Sequence, residues 1–217
     1  INWSDEIGHQ LDINKYINDM LILEFNLSIA YKHKESADFF DGINVIKFSE
    51  SIYERDPFRQ LHIASSGWFL DNNLYYKIGL DDYNEIKKST NYKQTEALTF
   101  PSLLTYSFGK NSITMYMEKQ ESSEKQLSES LDLLTIQHEK NSNRYFSLTF
   151  SYNGKISSSY FFEDEYKSFS SVAGHGDYED KYNKWSGVDI SYNINNTTQL
   201  SLFYGSQKGG LVCANGV

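Results

Sequence analysis

The stretch Leu21-Ile22-Leu23-Glu24-Phe25-Asn26-Leu27-Ser28-Ile29-Ala30-Tyr31 decides the fold class. Successive side chains of a β-strand point to opposite faces, so residues two apart share one. Leu21, Leu23, Phe25, Leu27, Ile29 and Tyr31 therefore line one face; Ile22, Glu24, Asn26, Ser28, Ala30 and Lys32 line the other. An α-helix would scatter the large apolar residues around its axis. Strict period two argues for a strand.

Similar runs recur outward from this segment. Leu61, Ile63 and Phe69 alternate through 58–70, and Leu74, Tyr76, Ile78 and Leu80 through 73–84. Then come Leu98, Phe100, Leu104, Tyr106 and Phe108; Ile113, Met115 and Met117; Phe146, Leu148, Phe150 and Tyr152; and Ile156, Tyr160 and Phe162. Val188, Ile190, Tyr192 and Ile194 precede Leu200, Leu202 and Tyr204. Asn18-Asp19, Asp71-Asn72-Asn73, Gly109-Lys110-Asn111, Asn141-Ser142-Asn143, Asn153-Gly154 and Asn195-Asn196 separate runs, and these residue types tolerate the positive φ of hairpin turns. The polar stretches 34–57, 85–95, 121–130 and 167–184 are longer and suit loops; 121–130 is also the best helix candidate.

This pattern predicts about eleven strands of roughly 9–11 residues each. Single-chain bacterial barrels use even numbers, so further strands are expected before Ile1 and after Val217. The chain opens without Met or a signal-peptide pattern, which fits part of a longer protein. One conflict stands out. A short turn at Asn153-Gly154 and a long loop at 167–184 fall at the wrong ends of the strands, which implies a misassignment between 121 and 167.

Composition narrows the function classes. In 217 residues there are 17 Tyr, 14 Phe and 3 Trp, an excess that suits strands and membrane interfaces. A spanning helix needs ~18 uninterrupted apolar residues, and no stretch approaches that. Mean hydropathy is −0.56, but alternating barrel strands average their own signal away. A net charge of −9 without a basic, aromatic-rich cluster argues against nucleic-acid binding.

The expected fold is all-β: an antiparallel transmembrane β-barrel, an up-and-down meander, with residues 1–217 as the C-terminal part of one domain. Eleven residues of sustained alternation exceed the ~5–6 usual in a sandwich strand. Leu21, Leu23, Phe25, Leu27 and Ile29 are then lipid-facing. Glu24, Asn26, Ser28, Lys32 and Lys77 face the lumen, with Ser147, Thr149, Ser151 and Ser157 as equivalents. The alternative is a secreted soluble β-sandwich that binds carbohydrate through Trp68 and Trp185.

The C-terminal run Ser191-Tyr192-Asn193, the turn at Asn195-Asn196, and Leu200 through Tyr204-Gly205, Gly209-Gly210 and Cys213 resemble the end of a family of uncharacterised outer-membrane β-barrels of Gram-negative bacteria. The resemblance is specific over about 190–217. It implies one more barrel strand, a bacterial outer-membrane location, and pairing of Cys213 with a Cys just past Val217. It carries no activity to individual positions.

Chemistry-bearing clusters are few. His9, His33, His62, His138 and His175 are scattered, and only His138 has tempting neighbours, Ser142 and Asn143; an exposed strand-end His is the plainer reading. His175, Asp177, Glu179 and Asp180 gather an imidazole and carboxylates of the type that can hold Ca²⁺, although the spacing fits no standard loop. Asp81-Asp82 and Glu163-Asp164-Glu165 resemble paired acids but fit a charged rim at strand ends better. No catalysis and no cofactor are expected. The expected role is a pore, or a scaffold whose long loops, chiefly 34–57 and 167–184, engage a lipoprotein or secreted partner, with outer-membrane lipid around it.

Overall fold

The structure is a computed structural model that describes residues 6–18, 20–32, 58–88, 92–130, 133–172, 179–195 and 197–208. They form ten strands: β1 (Glu6–Asn18), β2 (Leu21–Lys32), β3 (Phe58–Phe69), β4 (Leu74–Lys88), β5 (Tyr92–Phe108), β6 (Asn111–Ser130), β7 (Leu133–Tyr152), β8 (Ile156–Val172), β9 (Glu179–Asn195) and β10 (Thr198–Gly205). All ten lie in one antiparallel sheet in sequence order, with β1 and β10 as its edges. The fold is an all-β open meander.

Tight turns join the strands at one end of the sheet. Leu70, Asp71 and Asn72 take φ of 52°, 54° and 67°, and Asn153 and Gly154 take 53° and 64°. Such turns match the right-handed strand twist, and Asn, Asp and Gly enter the left-handed region at little cost. Backbone bonds Asn73 N to Leu70 O and Lys155 N to Tyr152 O, both 3.0 Å, close two of them.

Several polar stretches expected as loops are paired strand instead. Residues 121–130 complete β6, and Asn141-Ser142-Asn143 lies inside β7, where Asn141, Ser142 and Asn143 pair with Ser122, Glu121 and Gln120. Most of 85–95 belongs to β4 and β5, and 167–172 and 179–184 belong to β8 and β9. The β6–β7 connection thus falls at 131–132, the turn at 153–155 takes the proper end, and the parity conflict disappears. The expected strand length of about 9–11 also fails, since β6 and β7 have 20 residues each. Glu, Lys, Ser and Asn on both faces erase the alternation, although the backbone ladder continues beneath them.

The pairing registers carry the two faces of β2 across the sheet. Phe25 pairs with Ile13 and Ile63, Ile63 with Leu80, Leu104 with Met115, Met115 with Leu148, Leu148 with Tyr160, Tyr160 with Val188 and Val188 with Tyr204. Directly paired residues share a face. One face is therefore an apolar band from β1 to β10, at the tight-turn end of the longer strands.

That apolar face is also the open one. Leu23 is 41% exposed, Leu148 42%, Ile190 44% and Leu202 66%. On β6 and β7 the exposed positions alternate with half-buried ones, and the half-buried set includes Thr114, Tyr116, Ser147 and Thr149 on the polar face. Among the described residues the buried hydrophobics are Ala64 and Ile86, and no second sheet covers Phe25, Leu27 or Ile29. The polarity is inverted relative to an apolar-cored sheet.

Candidate functional site

The polar face carries the functional groups. At its β2–β4 end, Lys77 Nζ donates to Glu24 Oε1 at 3.1 Å and Oε2 at 2.8 Å, reaching across β3. His62 lies on the intervening strand, with Nδ1 2.5 Å from Asp81 Oδ1 and Nε2 3.8 Å from Glu24 Oε2. Side-chain exposures of 27–39% place all four in a half-open environment. Asn26 donates to Asp12 of β1 and accepts from Ser28 Oγ at 3.2 Å, which extends the network toward the sheet edge.

Further along, small hydroxyls bridge strand to strand. Thr105 and Thr114 are 3.1 Å apart, Thr149 and Ser159 2.8 Å, and Ser157 and Ser191 2.6 Å. Each bond satisfies one hydroxyl and leaves oxygen lone pairs for water. Beside them runs a row of rings on the same face: Tyr116–Tyr145, Tyr145–Phe161 and Phe161–Phe203, with centroids 5.9, 6.4 and 5.9 Å apart. Phe161 and Phe203 meet across β9 only because Gly187 stands between them. A Cβ there would lie 2.8 Å from both rings.

Beyond the row, away from the tight turns, the polar face is charged. Glu165 is 3% exposed and receives Lys208 Nζ at 2.8 Å and Asn141 Nδ2 at 3.2 Å. Across the sheet on the apolar face, Arg144 grips Asp164 through Nε at 2.8 Å and Nη2 at 2.6 Å, and Tyr182 donates to the same carboxylate at 3.0 Å. This fork sits one register step beyond Phe146–Phe162 and marks the end of the apolar band.

The expected lumen positions divide clearly. Glu24, Asn26, Ser28 and Lys77 all lie on the polar face, and Glu24 and Lys77 are ion-paired. Lys32 ends β2, and its side chain lies outside the described residues, as do His33, the stretch 34–57 and Cys213. Of the loop cluster, His175 and Asp177 also lie outside. Glu179 opens β9, and Asp180 accepts a hydrogen bond from Tyr166. Trp68 packs on Tyr75 at 4.8 Å, and Trp185 lies under Lys208 at 5.7 Å.

Three clusters weighed and set aside in the sequence are also separated by the strand geometry. His138 and Ser142 share the apolar face of β7, but Asn143 points the other way, so the triplet does not converge. Asp81 and Asp82 sit within β4 rather than at its end, on opposite faces, with Asp82 bound to Arg59 at 2.6 Å. Glu163, Asp164 and Glu165 stand within β8 and alternate likewise. Adjacent carboxylates on a strand diverge by geometry. His62 was the residue without a sequence signal for its role: alternation puts it opposite Leu61 and Ile63, but only register brings Glu24 and Asp81 beside it.

Chemically, the network offers fixed charge and hydrogen bonding. His62 is hydrogen-bonded to Asp81, and among the described residues no group of three His, Cys, Asp or Glu side chains is arranged to hold a metal ion. Comparison with family models, curated proteins and solved structures finds no match to this chain.

Proposed function

We propose that this chain forms the wall of a β-barrel in the outer membrane of a Gram-negative bacterium, with its apolar face in lipid and its polar face around an aqueous pore. The inverted polarity of the sheet carries this reading: its greasy face is open and its more enclosed face is hydrophilic. At roughly 80 Å² per exposed side chain the band passes about 1,000 Å², beyond the few hundred Å² that soluble monomers leave open. Moving that area out of water is worth about 25 kcal/mol, more than the ~5–15 kcal/mol net stability of an ordinary domain. Lipid supplies that transfer without a second protein layer.

Dimensions agree. Seven residues from Phe146 to Tyr152 and eleven from Leu98 to Phe108 bear the band. At ~3.3 Å per residue and a tilt near 40°, such segments rise roughly 18–28 Å, against about 25 Å for an outer-membrane apolar belt. Hydrocarbon tolerates no open edge. The reading therefore requires the edges of β1 and β10 to be paired, with each other, with further strands or with a second copy.

The half-open network of Glu24, His62, Lys77 and Asp81 gives the water path fixed charges, the means by which pores tune conduction. Purification tests the membrane claim: the chain is expected to stay monodisperse only in detergent, and stability in plain buffer would overturn it. Planar-bilayer recording tests the pore. Discrete conductance is expected; a silent, inserted chain would instead favour a scaffold that engages a lipoprotein or secreted partner.

A further inference from the structure

The apolar face carries a cavity of ≈ 620 Å³ just beyond the band, spread over β3 to β8. The size falls within the ~300–1,000 Å³ usual for small-molecule sites. Its charged lining residues, Arg59, Asp82, Glu96, Glu121 and Lys140, all project from the same face as the band. Leu98 forms its lower lip, and Phe100, 43% exposed, continues the same strand face into the band. A molecule that fills the cavity and stays on this face meets polar groups first and an apolar wall directly below. Such a molecule is an amphiphile.

We propose that this cavity seats the glycosyl headgroup of a lipid whose acyl chains lie along the band. The lining chooses the headgroup. Three carboxylates face two cations, and Arg59 is already committed to Asp82 at 2.6 Å. A phosphate oxygen, which only accepts, offers no donor to Glu96 or Glu121. Sugar hydroxyls donate as well as accept, which suits carboxylates beside Ser, Asn and Tyr side chains. Glu96 is held in place by Gln94 Nε2 at 2.8 Å and Ser123 Oγ at 3.2 Å, while Glu121 is 56% exposed and pairs with the equally open Lys119. One carboxylate is positioned, and the other sits in an open ion pair that a ligand hydroxyl can enter.

The inference rests on the barrel reading, and one preparation separates the two. The chain in amine-oxide micelles is titrated with a glucosyl diacylglycerol, with phosphatidylglycerol of identical acyl chains, and with free glucose, and adducts are counted by native mass spectrometry. A single glucosyl-lipid adduct is expected at about ten-fold lower concentration than the phosphatidylglycerol adduct, a gap of ~1.4 kcal/mol. Glu121→Gln with Glu96→Gln should abolish that gap while the micellar protein stays folded by its heat-dependent gel shift. Equal retention of both lipids, or retention unchanged in the double variant, overturns the proposal. So does glucose binding as tightly as the lipid, which would mark a plain sugar site. Failure of the barrel reading looks different: the chain would need no detergent at all.

Discussion

The turn-end half of the sheet and the far halves of β6 and β7 are built from the same backbone ladder but obey different side-chain rules. Near the turns, Ile113, Met115 and Met117 alternate with Ser112, Thr114 and Tyr116, and the two faces differ in character. Beyond Glu118–Tyr145, one face carries Lys119, Glu121, Arg144, Ser142 and Lys140 and the other Gln120, Ser122, Asn143 and Asn141, and pairing continues to Ser130–Leu133. The contrast teaches that hydrophobic alternation reports a difference between two environments. Strand pairing itself needs none.

The largest expected effect tests that difference on a single strand. Leu148→Arg puts a charge in the middle of the band, where a lipid-facing cation costs about 2–4 kcal/mol. Ser142→Arg, six residues along on the same face, lands opposite Glu121 in the polar extension and should shift stability by less than about 0.5 kcal/mol. Urea titration of vesicle-refolded protein reads both. Equal effects would mean that the band meets water and not hydrocarbon.

The comparison also explains what the sequence disclosed. Leu21–Tyr31 announced its strand because Glu24, Asn26 and Ser28 interrupt large apolar residues at every second place. The turns at Asp71-Asn72-Asn73 and Asn153-Gly154 were legible through residues that accept positive φ. By contrast, ESSEKQLSES at 121–130 looked like loop because nothing in it distinguishes one face from the other. The Glu24–Lys77 pair could be placed on a face but not in contact. Register over non-adjacent strands is set by turn geometry at both β2–β3 and β3–β4, and the former connection is long. His62 beside Asp81 stayed hidden for the same reason.

A second prediction concerns the ring row that crosses the polar face at the level of the band. Gly187→Val would drive a side chain into Phe161 and Phe203, whose rings stand 2.8 Å from the point where its Cβ would lie. Overpacking of this kind costs about 1–3 kcal/mol. Phe203→Ala in the Gly187→Val background should recover part of the loss, measured by the same urea midpoints. Additive losses would show that the two rings do not share the space over Gly187.

Inside the proposed lumen, Lys77→Met leaves Glu24, among the described residues, with the more distant His62. The pair is about a third exposed on each side, so solvent screening limits its worth to about 1 kcal/mol or less. The larger change should appear in conduction: a carboxylate freed of its lysine raises cation preference, read from the reversal potential in a salt gradient. Glu24→Gln added to Lys77→Met should return the preference toward the starting value. No shift in either variant would remove these residues from the water path.

The smallest effect sharpens the contrast between two ion pairs of nearly equal length. Arg59–Asp82 at 2.6 Å lies on the apolar face beyond the band, with Arg59 54% exposed, whereas Lys77–Glu24 at 2.8 Å lies on the polar face. Arg59→Ala should cost only a few tenths of a kcal/mol, as exposed pairs usually do. In about 1 M salt the Debye length falls to ~3 Å, so even that small cost should vanish. On the pore reading Lys77→Met should keep more of its effect, because a closed wall facing it would exclude part of the salt that screens it. Equal salt sensitivity for the two substitutions would mean that both pairs face the same bulk solution, and the polar face would then be an open surface rather than the lining of a channel.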